Sequence, residues 1–167
     1  LAGAPEKLIA RALELDPPAH HHAHLRLLQA WLFVWRGQLD EADAVLAEFR
    51  PLITRDQLSP QYNSQAIRTD AEHAFAVGDH RRAWSDVTVF LDHWQLYERT
   101  QCYPLLAVGA AAARALDQRD GGGDRLALIK DFFDHQALPV RIRAFWEPMI
   151  KAELEDTAEA WRFALDE

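Results

Sequence analysis

Four histidines in five positions, His20-His21-His22-Ala23-His24, are the densest set of metal-capable side chains in the sequence. His20 and His24 stand i, i+4, so on a helix two neutral imidazoles would share one face at a spacing that can hold Zn²⁺ or Ni²⁺. Such a site needs further ligands. No glutamate completes a His-Glu-x-x-His arrangement, and no carboxylate or cysteine elsewhere is spaced as a third ligand. The cluster therefore reads as the exposed first turn of a helix, with no metal assigned. Gly121-Gly122-Gly123-Asp124 could be imagined cradling a phosphate, but a P-loop ends in Gly-Lys-Ser/Thr and follows a strand, and both are missing. It reads as a connection between helices. The lone cysteine, Cys102, has no active-site motif around it and reads as a packing residue. Asp40/Glu41 and Glu153/Glu155 fall at helix starts or on polar faces, where the helix dipole and solvation account for them without acid-base work. No catalytic constellation emerges, and neither cofactor nor enzyme activity is expected.

Aromatic residues offer binding chemistry instead. Of the six tryptophans, Trp84 and Trp94 fall on an apolar stripe with Val87 and Leu91 and are expected in the core. Trp31 and Trp35 bracket one helical turn, too close for both to point along a single narrow seam, so one of them is available to a neighbouring repeat or a partner. Arg68 and Glu72 stand i, i+4 and are expected to form a surface pair worth about 0.3–0.5 kcal/mol.

The elements that would position these residues are helices. The composition is 49% hydrophobic with only seven glycines and eight prolines in 167 residues, which suits helix over sheet and argues against disorder. Turn signals divide the chain into helices at roughly 4–15, 19–36, 40–54, 60–77, 80–97, 102–118, 124–136, 139–154 and 157–166. Asp16-Pro17 and Ser59-Pro60 each place a capping side chain before a proline at the first helical position, and Asp40 and Asp79 are further caps. Trp31-Leu32-Phe33-Val34-Trp35 and Val87-Thr88-Val89-Phe90-Leu91 could pass for strands. Their 3.6-residue stripes, Leu25-Leu28-Leu32-Trp35 in the first case, make them helical.

A repeat organises the helices. Gly37 precedes Ala42 by five residues and Gly78 precedes Ala83 by five; Ala30 and Ala71 lie seven positions before each glycine, and Leu46 and Val87 lie four beyond each alanine. The interval from Gly37 to Gly78 is 41 residues. A third unit runs from Ala111-Ala112-Ala113 through Gly121 to Leu126-Ala127, and a fourth keeps only Ala158 and Ala160 around Trp161. Small residues let antiparallel helices approach, and such hairpins bury their apolar faces only by stacking. The expected fold is all-α, with antiparallel helix hairpins stacked across residues 1–167 as one domain. The chain opens on Leu1 without an initiator methionine and ends on an apolar helical run, which reads as a fragment of a longer protein.

Gly78-Asp79-His80-Arg81-Arg82-Ala83-Trp84, and then Gly37-Gln38-Leu39-Asp40-Glu41-Ala42, resemble the tetratricopeptide (TPR) pattern, although the 41-residue interval exceeds the usual repeat of about 34. The resemblance implies a short right-handed TPR-like solenoid whose first helices line a concave groove. That groove would take His24, Trp31 and Trp35 from one repeat and Gln65, Arg68, Glu72 and Phe75 from the next. Aromatic anchors among polar groups suit a peptide, or a small polar ligand with apolar faces.

Ala30 through Gly37 followed by Leu39-Asp40-Glu41-Ala42, Gly78-Asp79 with Ala83-Trp84, Pro104-Leu105-Leu106-Ala107 through Ala111-Ala112-Ala113-Arg114-Ala115-Leu116, and Ala158-Glu159-Ala160-Trp161, read in order, resemble the helical region of large ATP-binding LuxR-type transcriptional regulators. That resemblance implies a cytoplasmic protein in which an ATPase module precedes this region and a DNA-binding helix-turn-helix follows it. This segment would bind a protein or a small-molecule inducer and relay that state. A stand-alone TPR adaptor for peptides or partner helices is the alternative, and pairing of array ends into a homo-oligomer is a further partner class. A net charge of −8 argues against direct contact with nucleic acid, and no apolar run reaches the ~20 residues of a membrane helix.

Overall fold

The computed structural model describes residues 4–54, 59–93, 95, 101–135 and 140–166. Among them the chain forms nine α-helices and no strand: α1 (Ala4–Glu14), α2 (Ala19–Trp35), α3 (Leu39–Thr54), α4 (Pro60–Ala76), α5 (His80–Asp92), α6 (Cys102–Asp120), α7 (Asp124–His135), α8 (Val140–Glu155) and α9 (Ala158–Asp166). The two strand-like runs lie inside α2 and α5, as their periodicity requires. The helix expected over 80–97 ends earlier, at Asp92, with His93 as its C-cap; Trp94 lies outside the described residues. No helix among the described residues is long and apolar enough to cross a membrane.

The helix ends follow local chemistry, with three corrections. Asp79 caps α5 by accepting from the Arg82 N–H at 3.1 Å. Ser59 occupies the N-cap of α4 ahead of Pro60, but its side chain makes no capping bond. Asp16 does not cap α2. Pro17 precedes a second proline, which disfavours the α region at Pro17, so the helix starts only after Pro18, and Asp16 sits at φ +49°. Asp40 does not cap either, because α3 begins one residue earlier and places Asp40 in the first turn, where its negative charge interacts favourably with the positive end of the helix dipole.

The two glycine turns are copies of each other. Gln38 N–H donates to the Phe33 carbonyl and Gly37 N–H to that of Val34; Asp79 N–H donates to Ala74 and Gly78 N–H to Phe75. Both are Schellman closures, with Gly37 at φ +70° and Gly78 at φ +81°, conformations that a side chain would strain.

The main packing joins successive helices from α1 to α7, and α8 to α9, and also joins alternate helices: α2 to α4, α4 to α6 and α6 to α8. Ala30, Ala42, Ala71 and Ala83, the small residues of the repeat, are all fully buried. Ala74, Ala83 and Ala112 meet where α4, α5 and α6 converge, and close approach needs side chains of that size. A larger core gathers Ile67, Val87, Phe90, Tyr103, Leu106, Ile129, Phe133 and Ile150 from α4 to α8; a second joins Leu27, Ala30, Val45, Leu46, Phe49 and Ala66 from α2, α3 and α4. Cys102 is buried in the larger core. The stripe assigned to α2 is displaced. Leu27 and Ala30 are its fully buried residues, while Leu25, Leu28 and Leu32 are half-buried and Trp35 is exposed. The helix is apolar on nearly every side because α1, α3 and α4 all pack on it, so periodicity alone could not select the innermost face.

Candidate functional site

The densest meeting of sequence-selected residues is between α2 and α4, two helices that are not consecutive in the chain. Trp31 and Trp35 are one turn apart on α2 with ring centroids 5.3 Å apart and tilted by 54°. From α4, the Arg68 guanidinium lies over the Trp31 ring, 5.5 Å from its centroid, within cation–π range. Arg68 Nε also donates to Glu72 Oε1 at 2.8 Å, and its Nη1 donates at 3.1 Å to Gln101 Oε1 at the start of α6. Trp35 Nε1 makes a long 3.4 Å bond to the second Glu72 oxygen. Four of the expected groove residues, Trp31, Trp35, Arg68 and Glu72, thus form one connected set.

One of its features departs from expectation, and another follows it. The Arg68–Glu72 pair is not a surface pair: the side chains are 15% and 12% exposed, because the tryptophans and Gln101 shield them. An ion pair in that setting is less screened than an exposed one and holds its geometry more firmly. Trp35, by contrast, is 66% exposed. It is a large apolar surface fixed at one edge by Trp31 and Glu72 and open on the other.

The remaining expected residues flank this set. His24 lies two turns before Trp31 and faces Tyr62 of α4, with ring centroids 5.7 Å apart. Gln65 is half-buried on the stripe that carries Arg68. Phe75 packs beside the alanine cluster, edge-on to His80 at 5.1 Å. Tyr62 and Gln101 are contributors that sequence reading missed. Tyr62 stands i, i+3 from Gln65 and could have been found on that stripe; Gln101 precedes a helix, where no periodicity points to it.

A second polar assembly, also missed, lies inside the fold where α3, α4 and α5 meet. Asp70, only 7% exposed at its side chain, accepts from Arg50 Nε at 3.0 Å, Arg50 Nη2 at 2.9 Å and Arg82 Nη2 at 2.9 Å. Arg50 also reaches Asp43 at 2.7 Å, and that bond holds the Asp43 carboxyl below its ordinary range. His73 has Nε2 3.0 Å from the Leu39 carbonyl and Nδ1 3.0 Å from Arg82 Nη2. A carbonyl only accepts and a guanidinium only donates, so the geometry fits the neutral ring with its proton on Nε2. Burial pushes Asp86 up to about 7, the charge of Asp70 adding to the effect and Arg82 and Arg50 opposing it. The clue was the composition of α4. It packs on four helices yet carries Asn63, Ser64, Thr69, Asp70 and His73 as buried residues, which need partners.

Elsewhere the chemistry is sparse. The His20 and His21 ring centroids lie 4.0 Å apart with the planes tilted by 48°, and among the described residues no group of three or more His, Cys, Asp or Glu is arranged to hold a metal ion. An open cleft of about 420 Å³ lies between the α1–α2 turn and α3, lined by Asp16, Pro17, His22, Ala23, Glu48, Phe49 and Leu52 among others. It includes none of the α2–α4 cluster, and its Glu48 already bonds Arg26. No family model, no curated protein and no solved structure matches the chain.

Proposed function

We propose that this chain is a non-catalytic binding domain, a short right-handed TPR-like solenoid whose alternate helices α2, α4 and α6 line a groove for a peptide or for a small ligand with apolar faces. We further propose, from the resemblance in its alanine and glycine spacing, that it is the helical region of a cytoplasmic LuxR-type transcriptional regulator. There it would relay partner or inducer binding to ATPase and DNA-binding modules. Packing between alternate helices, and two glycine turns of matching geometry 41 residues apart (78 − 37), support the repeat reading.

One observation carries the binding reading. Trp31, Arg68, Glu72 and Trp35 are locked together across two non-consecutive helices, and the lock leaves the Trp35 indole largely uncovered. A tryptophan fixed by its neighbours loses little rotamer entropy when a partner covers it, which is why such residues dominate binding energy. Relay would follow from differential affinity: a ligand bridging α2 and α4 favours whichever arrangement of the two helices it binds more tightly.

The test is selection of peptides from a display library on the intact domain. Binding of the selected peptides is then compared for the wild type, Trp35→Ala, Arg68→Ala and Leu128→Ala, the last altering an exposed apolar residue of α7. The first two substitutions are expected to weaken binding by about tenfold or more, roughly 1.4 kcal/mol. Leu128→Ala is expected to leave it unchanged. Equal binding by all four proteins would refute the assignment.

A further inference from the structure

The α3–α4–α5 junction holds an imbalance that packing alone does not explain. Asp86 Oδ2 is shut off from solvent with no hydrogen-bond partner, and so is Arg82 Nε, one turn earlier on α5. Arg82 spends its Nη2 on Asp70 and His73 of α4 instead. A carboxylate oxygen closed off in this way is costly when charged and tolerable when protonated. The charges bearing on it come from all three helices: Arg50 of α3, Asp70 of α4, and Arg82 and Asp79 of α5, with His73 on the far side of Arg82.

We propose that Asp86 is a proton-operated latch on the packing of α5 against α4. With Asp86 protonated, Arg82 is committed to Asp70 and His73 and ties the two helices together. With Asp86 ionised, its carboxylate competes with Asp70 for the same guanidinium, which can reach it through the unused Nε–H. One bond from Arg82 to α4 then weakens while one within α5 forms. No other charge need move. Because α4 also carries Arg68 and Glu72, proton release at Asp86 is expected to shift that helix's outward face as well.

Burial and the Asp70 charge place the titration at about 7 rather than in the ordinary carboxylate range. The experiment is a ¹³C NMR titration of the aspartate carboxyls in the wild-type domain from pH 3 to 9, with backbone amide shifts followed in parallel. The Asp86 carboxyl is expected to titrate near neutrality, and amides of α4 and α5 around Asp70, His73 and Arg82 are expected to follow with the same midpoint. In Asp86→Asn that shared transition is expected to disappear. An Asp86 carboxyl titrating near 4 would overturn the proposal, as would persistence of the α4–α5 transition in Asp86→Asn. The wild-type titration needs no variant, so a carboxyl midpoint near 4, or α4 and α5 amides that do not follow the carboxyl, overturns the proposal even if the substitution impairs folding.

Discussion

Gly109, in the middle of α6, offers a sharp test of how closely the helices approach. A Cβ at this position would lie 2.8 Å from Val87 Cγ1 of α5 and 3.0 Å from Ile129 Cδ1 of α7. Carbon pairs are comfortable at about 3.5–4.0 Å, so the overlap with Val87 is roughly 0.7 Å. Ile129 can rotate its terminal methyl away. Val87 is β-branched and held to one rotamer in a helix, so it cannot. Overpacking of this kind costs about 1–3 kcal/mol, whereas replacing glycine by alanine inside a helix returns about 1 kcal/mol. Gly109→Ala is therefore expected to be net destabilising, by about 0–2 kcal/mol. In a Val87→Ala background the obstructing methyls are gone and the same substitution is expected to stabilise by about 1 kcal/mol. The two sites should thus couple by about 1–3 kcal/mol in a double-mutant cycle read by urea unfolding at 222 nm. Additive effects, with Gly109→Ala stabilising in both backgrounds, would show that α5 and α6 do not meet here and would refute the packing scheme.

Further outcomes are expected elsewhere in the fold. Asp70→Ala leaves Arg50 and Arg82 without their shared buried carboxylate and should cost about 3–5 kcal/mol in urea unfolding, whereas Glu14→Ala, breaking the exposed Arg11–Glu14 pair, should change stability by less than about 1 kcal/mol. Gly78→Ala, at φ +81°, should destabilise by about 1–2 kcal/mol, and Gly122→Ala, with no positive φ and only ordinary contacts around its Cβ, should not. Asp86 supplies a pH dependence. Its value rises from 3.8 unfolded to about 7 folded, so the folded state holds the proton more tightly. The associated stability is complete below about pH 4, drains away as pH rises toward 7 and is flat beyond. Asp86→Asn should therefore gain on the wild type over that window, by at most about 4 kcal/mol. A difference between the two proteins that is constant from pH 4 to 8 would contradict it.

Much of the architecture was legible because it rests on backbone rules. Gly37 and Gly78 end helices since only glycine takes that φ cheaply, and the small residues seven positions before and five positions after them are buried because helices cross there. Capping was harder to read. Asp16 and Asp40 had the right chemistry, but a second proline and a one-residue earlier start moved the caps elsewhere. The site was half legible. Trp31, Trp35, Arg68 and Glu72 lie on stripes that helical spacing reveals, but spacing says nothing of the shielding that turns an i, i+4 surface pair into a protected one. That depends on Gln101, thirty-three residues from Arg68. The Asp70 network was invisible for the same reason: Arg50, Asp70 and Arg82 are ordinary charged residues in sequence and meet only through packing.

The binding face itself is most directly tested by mapping a library-selected peptide onto the isotope-labelled domain by NMR. Shift changes are expected at the indole N–H groups of Trp31 and Trp35 and at the Arg68 side chain, fading toward Phe75. Changes confined to the exposed apolar residues of α8 and α9, such as Phe145 and Phe163, with both α2 indoles unmoved, would contradict the assignment.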